Sequence, residues 1–124
     1  MRRAATSADP GEFRIEEESL GPSARLLIVH GDADLYSAPE LRERVRRAID
    51  TGVTTIVVDI NRVVFLDSAA LHVFFKLARQ RGARSLALVM EPHAAVSRTL
   101  DIVGMRDAVR VVASLDDLDR NNTG

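Results

Sequence analysis

A chain of 124 residues is long enough for one compact domain and too short for two, since domains mostly run to about 100–150 residues. Its 46% apolar and 28% charged composition excludes collagenous, low-complexity and wholly disordered chains. Its 17 basic and 18 acidic side chains leave a net charge of -1, which excludes a global field drawing it onto nucleic acid or an anionic membrane, and the lack of cysteine excludes disulfide, thiolate-metal and redox-dithiol chemistry.

Residues 1–11, closed by Pro10-Gly11, are small and polar and predict a flexible lead-in, followed by a domain over 12–119 and a polar tail over 120–124. The lead-in lacks the ~7–15 apolar residues of a signal peptide, and no later run approaches the ~18 needed to span a bilayer. With no cysteine to protect, the cytoplasm is the expected location. Phe13-Arg14-Ile15-Glu16 alternates apolar and polar, and Arg25-Leu26-Leu27-Ile28-Val29 follows the Gly21-Pro22 turn, so two strands joined by a turn are predicted. Ser37-Ala38-Pro39-Glu40 has the spacing of a capping box, with proline in the first turn. The helix it opens carries Leu41, Val45, Ala48 and Ile49 as an apolar stripe and stops at Gly52.

Val53 to Ile60, with the β-branched run Ile56-Val57-Val58, predicts a buried strand. A second helix is predicted after Asp67-Ser68, closing at Gly82. A short strand follows over Ser85 to Met90, then a helix opened by Pro92 and ended by Gly104. Val109 to Val112 makes the last strand, and Ser114-Leu115-Asp116-Asp117 starts a short C-terminal helix. The expected order is β-β-α-β-α-β-α-β plus that helix, an α/β domain with helices packed on a mixed sheet.

The segment Val63-Val64-Phe65-Leu66-Asp67-Ser68-Ala69-Ala70-Leu71-His72 holds the most chemistry, because an apolar run stops at an acid and a hydroxyl where a helix begins. At about 100° per residue, Ala70, Leu71, Val73, Phe74, Phe75, Leu77 and Ala78 fill one arc, and Ser68, His72, Lys76, Arg79 and Gln80 the other. Asp and Ser are both preferred for capping orphan amides at a helix start. One cap needs one side chain, so the second hydroxyl is left on the polar arc.

Gly31-Asp32-Ala33-Asp34, then Ser37-Ala38, Glu40-Leu41, Ile56-Val57-Val58-Asp59, Phe65-Leu66-Asp67-Ser68 and Leu71 together resemble the bacterial anti-sigma factor antagonists, the small STAS domains. The resemblance covers roughly residues 13 to 118. It implies a single STAS-like domain and a partner-switching role: the unphosphorylated protein binds an anti-sigma factor that is usually a serine kinase, and so frees the sigma factor. It also places Ser68 on the family's phosphorylated serine and Asp34 beside it. Asp34, Ser37, Asp67, Ser68 and His72 are then the expected partner-binding residues, with neither cofactor nor catalysis. Phosphorylation would add about -1.5 to -2 charges that a helix N-terminus tolerates and a desolvated interface does not.

Where the family pattern continues with a small hydroxyl residue, Gly, Leu and Gly, this chain has Ala69, Ala70, Leu71 and His72. His72 is either a surface histidine without a duty or, with Lys76 and Arg79, part of a basic stripe that steers an acidic partner or steadies a phosphoserine. An antagonist that has lost phosphorylation and serves as an interaction scaffold is the first rival reading. The remote one is a hydrolase built on Ser68, His72 and Asp34, which would lack a Gly-x-Ser-x-Gly elbow. His30, His72 and His93 have no metal-ligand spacing, so no metal site is expected.

Overall fold

The apolar runs of the chain pair into one five-stranded sheet in the computed structural model, which describes residues 11–82 and 85–118. The elements are β1 (Arg14–Ser19), β2 (Ala24–Ala33), α1 (Ala38–Asp50), β3 (Thr55–Leu66), α2 (Ser68–Arg81), β4 (Leu86–Val89), α3 (Ser97–Ile102), α4 (Met105–Ala108) and β5 (Arg110–Val112). A short helical stretch follows at residues 115–118. The strands lie side by side in chain order, β1 antiparallel to β2 and all later pairs parallel. Parallel neighbours need a crossover, and α1, α2 and the α3–α4 pair supply the three.

Side chains of a strand alternate between faces, and the buried residues obey that period. Leu27, Val29, Ile56, Val58, Leu86 and Leu88 point into the larger core, where Leu41, Val45, Phe74, Leu77, Leu100 and Met105 of the helices meet them. Leu26, Val57, Ala87, Val89 and Val112 form a second apolar cluster on the opposite face, capped by Leu118. Arg110 holds that cap, donating from Nη2 to the Leu118 carbonyl at 2.6 Å. Successive right-handed crossovers between strands in chain order place all helices on one face, which leaves the second face to the C-terminal stretch.

The foreseen order of elements is the observed one, with four local differences. β3 runs on to Leu66, so Val63-Val64-Phe65-Leu66 belongs to the same strand as Val57. The polar break at Asn61-Arg62 is absorbed by a register shift against β2 between Ile28 and His30, and a second shift follows between Gly31 and Asp32. The helix expected from Pro92 begins only at Ser97, after two turns closed by Ala94 N–H to Glu91 C=O and Ser97 N–H to Ala94 C=O. His93 accordingly lies in this turn region and not in a helical first turn. Gly104, at φ +72, then separates α3 from α4, because a left-handed residue ends one helix and lets the next start at a new angle.

The fourth difference is at the start of α1. Ser37 occupies the cap position, yet its side chain makes no capping bond to the helix, so the foreseen capping box is not formed. The lead-in over residues 1–10 and the tail over 120–124 lie outside the described residues. Gly11, foreseen as the end of the flexible segment, is tied to the sheet, its carbonyl accepting the Asp32 amide at 2.9 Å. That approach explains Gly31: at φ +84 a Cβ would overlap the Glu12 carbonyl oxygen, so only glycine fits.

Candidate functional site

β2 and β3 deliver Ala33 and Leu66 side by side at one end of the sheet, and each strand then leaves the sheet through an aspartate, Asp34 and Asp67. Asp67 is the cap of α2. Its Oδ1 accepts the amides of Ala69 at 2.9 Å and Ala70 at 3.3 Å. Its Oδ2 reaches across to the other loop and accepts the Leu35 amide at 3.0 Å, while its own amide donates to the Ala33 carbonyl at 3.0 Å. One carboxylate therefore starts the helix and fastens the β2–α1 loop to it.

Asp34 shapes that loop from within. Its Oδ1 accepts the amides of Tyr36 at 3.0 Å and Ser37 at 3.1 Å, and its carbonyl accepts the Ala38 amide at 2.8 Å. The Ser37 hydroxyl accepts the Asp34 amide at 2.8 Å and donates to the Asp32 carbonyl at 2.8 Å. Ser37, expected on the partner surface, is instead only 9% exposed, because a hydroxyl satisfying two main-chain groups of its own loop must turn inward. Its part in the site is to hold the loop.

Ser68, by contrast, stands exposed in the first turn of α2, and among the described residues no hydrogen bond engages its hydroxyl. Asp67 has taken the capping role, so the serine is not needed for it. His72 is exposed one turn further along, and among the described residues no hydrogen bond joins it to Ser68 or Asp34. With the Asp34 carboxylate occupied by Tyr36 and Ser37, the arrangement has no relay from acid through imidazole to hydroxyl. Ala70 is fully buried against the core, whereas Ala69 beside it is half-buried. Among the described residues no group of acidic and histidine side chains could hold a metal ion, and no helix is long and apolar enough to cross a membrane.

The sequence reading missed an exposed apolar collar around this end of the sheet. Leu35 is 66% exposed and Tyr36 is 90% exposed, both in the loop clamped by Asp67. Phe65 is 52% exposed and Val64 is similarly bare, both just ahead of Asp67. Consecutive outward side chains are unusual in a strand; they arise because Val63 pairs with Gly31 and Phe65 with Asp32, leaving Val64 in a bulge. An aromatic and a leucine in a polar loop were the available signal for half of this collar. Nothing in the run Val63 to Leu66 distinguishes bulged from regular residues.

A mixed five-stranded sheet thus carries, at one end, a helix-start serine whose hydroxyl has no hydrogen bond among the described residues, with four exposed apolar side chains in the adjoining loop and strand end. The chain belongs to the STAS domain family, whose model matches residues 21–118. No curated protein matches the chain. Among solved structures it is similar to an anti-sigma factor antagonist from Mycobacterium paratuberculosis, with TM-score 0.77 at 21% identity over 90% of this chain and 94% of that one. It is also similar to the anti-sigma factor antagonist SpoIIAA in its unphosphorylated form, with TM-score 0.64 and 16% identity over 89% of this chain and 97% of that one. The phosphorylated form of the Bacillus cell fate determinant SpoIIAA matches at TM-score 0.60 and 20% identity, over 88% of this chain and 98% of that one. Both chains are covered almost throughout, so the fold is shared as a whole.

Proposed function

We propose that this STAS domain is an anti-sigma factor antagonist, a cytoplasmic binding switch without catalysis of its own. Its unphosphorylated form binds an anti-sigma factor that is also a serine kinase, thereby releasing the sigma factor, and phosphorylation of Ser68 switches binding off. The observation that carries this reading is the division of labour at Asp67-Ser68: the aspartate satisfies the helix amides and the loop, and the serine hydroxyl is left bare beside an apolar collar.

The collar of Leu35, Tyr36, Val64 and Phe65 offers the desolvating surface that a partner interface needs, with two aromatic side chains as anchors. A phosphoryl group on Ser68 would meet the N-terminus of α2 favourably in the free protein. In the complex it would lie against a desolvated partner, next to Asp67, with repulsion and lost hydration acting together. Binding is therefore abolished with no large change of shape. The names of the similar structures, an antagonist and its phosphorylated and unphosphorylated relatives, support the same reading.

The test is a pull-down from the native cell followed by reconstitution with the captured kinase. Intact mass should rise by one phosphoryl group in the wild type and not in Ser68→Ala. Ser68→Ala should stay bound to the partner in the presence of ATP, and Ser68→Asp should bind at least about tenfold more weakly. Equal binding by both variants would remove the switch. Binding without any mass change would favour an interaction scaffold that is not phosphorylated.

A further inference from the structure

Beyond the switch, α1 and α2 lie side by side and enclose a shallow cleft of about 510 Å³. Its floor is apolar, made by Val45 and Ile49 of α1 and by Val73 and Leu77 of α2. The walls carry Arg42, Arg46, His72, Lys76 and Arg81, and no acidic residue lines it among the described residues. In a chain of net charge -1 such segregation is local and one-sided.

The state of each cation sharpens this. Arg46 is already neutralised, bonded to Glu43 and to Asp50 at 2.7 Å. Arg42, Lys76 and Arg81 are exposed and have no ion pair or hydrogen bond among the described residues. Arg79, on the same polar arc of α2 as Lys76, does not line the cleft, and Arg81 does. Arg42, Lys76 and Arg81 thus stand over an aliphatic floor in an open trough between two helices of 13 and 14 residues, against which the apolar face of a further helix can lie.

We propose that the α1–α2 cleft is a second docking site, and that its occupant is an acidic amphipathic helix of a partner protein. The leucine-type face of such a helix covers Val45, Ile49, Val73 and Leu77, and flanking carboxylates pair with Arg42, Lys76 and Arg81. Charge complementarity selects this occupant: an uncharged apolar helix would leave three cations desolvated without partners, and a basic one would be repelled. Its His72 wall lies one turn from Ser68, so the site is tested in the Ser68→Ala background, where no phosphoryl group can compete for its cations.

The probe is a synthetic helical peptide of about 14 residues, with leucines at helical spacing on one face and glutamates on both flanks, titrated into the isotope-labelled full chain. Saturable amide shifts should appear at Val45, Val73 and Leu77 and weaken several-fold as salt rises to about 0.3 M. Replacing Arg42, Lys76 and Arg81 together by Gln, at positions where the fold does not depend on charge, should weaken binding about tenfold, and a Gln-for-Glu peptide should lose as much. Absence of saturable shifts overturns the proposal, as does undiminished binding by the triple variant. Stronger shifts of the same residues by phosphatidylglycerol vesicles than by the peptide would also overturn it, assigning the cleft to a lipid surface.

Discussion

Asp67 Oδ2 accepts the Leu35 amide at 3.0 Å, joining the start of α2 to the loop that leads into α1. Its other oxygen holds Ala69 and Ala70, so the two elements that flank Ser68 share one anchor. Rigid presentation of an unpaired hydroxyl follows from that bond, since an exposed loop with no such clamp would be free to move relative to the helix.

Removing the anchor should therefore cost more than a lone helix cap. Asp67→Ala is expected to lower stability by about 2–3 kcal/mol, the upper range for a cap plus one charge-assisted bond, with Asp67→Asn retaining part of it. Denaturant unfolding of the three proteins checks this. Faster hydrogen exchange at Leu35 in Asp67→Ala would report the loosened loop, and unchanged exchange there would mean the loop is held by Asp34 alone.

Charge at Ser68 should separate folding from binding. In the free protein Ser68→Asp, in the first turn of α2, should be neutral or stabilising by up to about 1 kcal/mol, because the helix N-terminus favours a negative group. The same substitution should impair partner binding. Thermal unfolding beside a binding titration reads both, and a loss of stability that parallels the loss of binding would reduce the effect to misfolding.

The apolar collar gives the converse separation. Tyr36→Ala and Phe65→Ala remove side chains that are largely outside the core, so stability should change by less than about 1 kcal/mol. If they are the anchors of the partner interface, each should weaken binding by at least about tenfold. Near-wild-type affinity in both variants would move the interface away from this end of the sheet.

Gly31→Ala addresses the left-handed residue of β2, where φ is +84 and the Glu12 carbonyl leaves no room for a Cβ. The penalty should exceed about 2 kcal/mol and should appear first as loss of protection at the Asp32 amide, which donates to Gly11. The wild-type unfolding midpoint in Gly31→Ala would be incompatible with the close approach of the 11–12 backbone.

Glu16 on β1 is bonded to His30 and Arg14, and His30 above all, then Arg14, holds its carboxyl below the usual range. A depressed folded value stabilises the protein above the ordinary glutamate range, and that contribution is lost as pH falls through the folded value. Acidification should thus loosen the β1 edge before the core. Carboxyl NMR titration should find the Glu16 midpoint below the ordinary glutamate value, and moved upward in His30→Gln.

Periodicity in the sequence was sufficient for most of the architecture. The continuous apolar runs Leu26-Leu27-Ile28-Val29 and Ile56-Val57-Val58 mark strands that the fold buries on both faces, and the arc Ala70 to Ala78 on α2 is the arc that packs into the core. Asp67-Ser68 stood out because two capping residues are more than one helix start requires. The cap itself is local, to the Ala69 and Ala70 amides, but the second hold of Asp67, on the Leu35 amide, uses a donor 32 residues away in the chain. Sequence proximity cannot supply such a donor; strand pairing of Ala33 with Leu66 does.

The same limit explains what the chain alone left undecided. Ser37 reads as a cap from its neighbours, yet the turn built by Asp34 captures its hydroxyl, because an inward bond to two main-chain groups outcompetes one solvent-exposed capping bond. The outward pair Val64-Phe65 depends on a bulge against Gly31, and the basic cleft on two helices that meet only after the sheet is assembled. Local pattern and capping chemistry determined the elements and the serine that heads α2. Non-local hydrogen bonds and helix packing decided which side chains are free to meet a partner, since freedom is what remains after every long-range contact has been made.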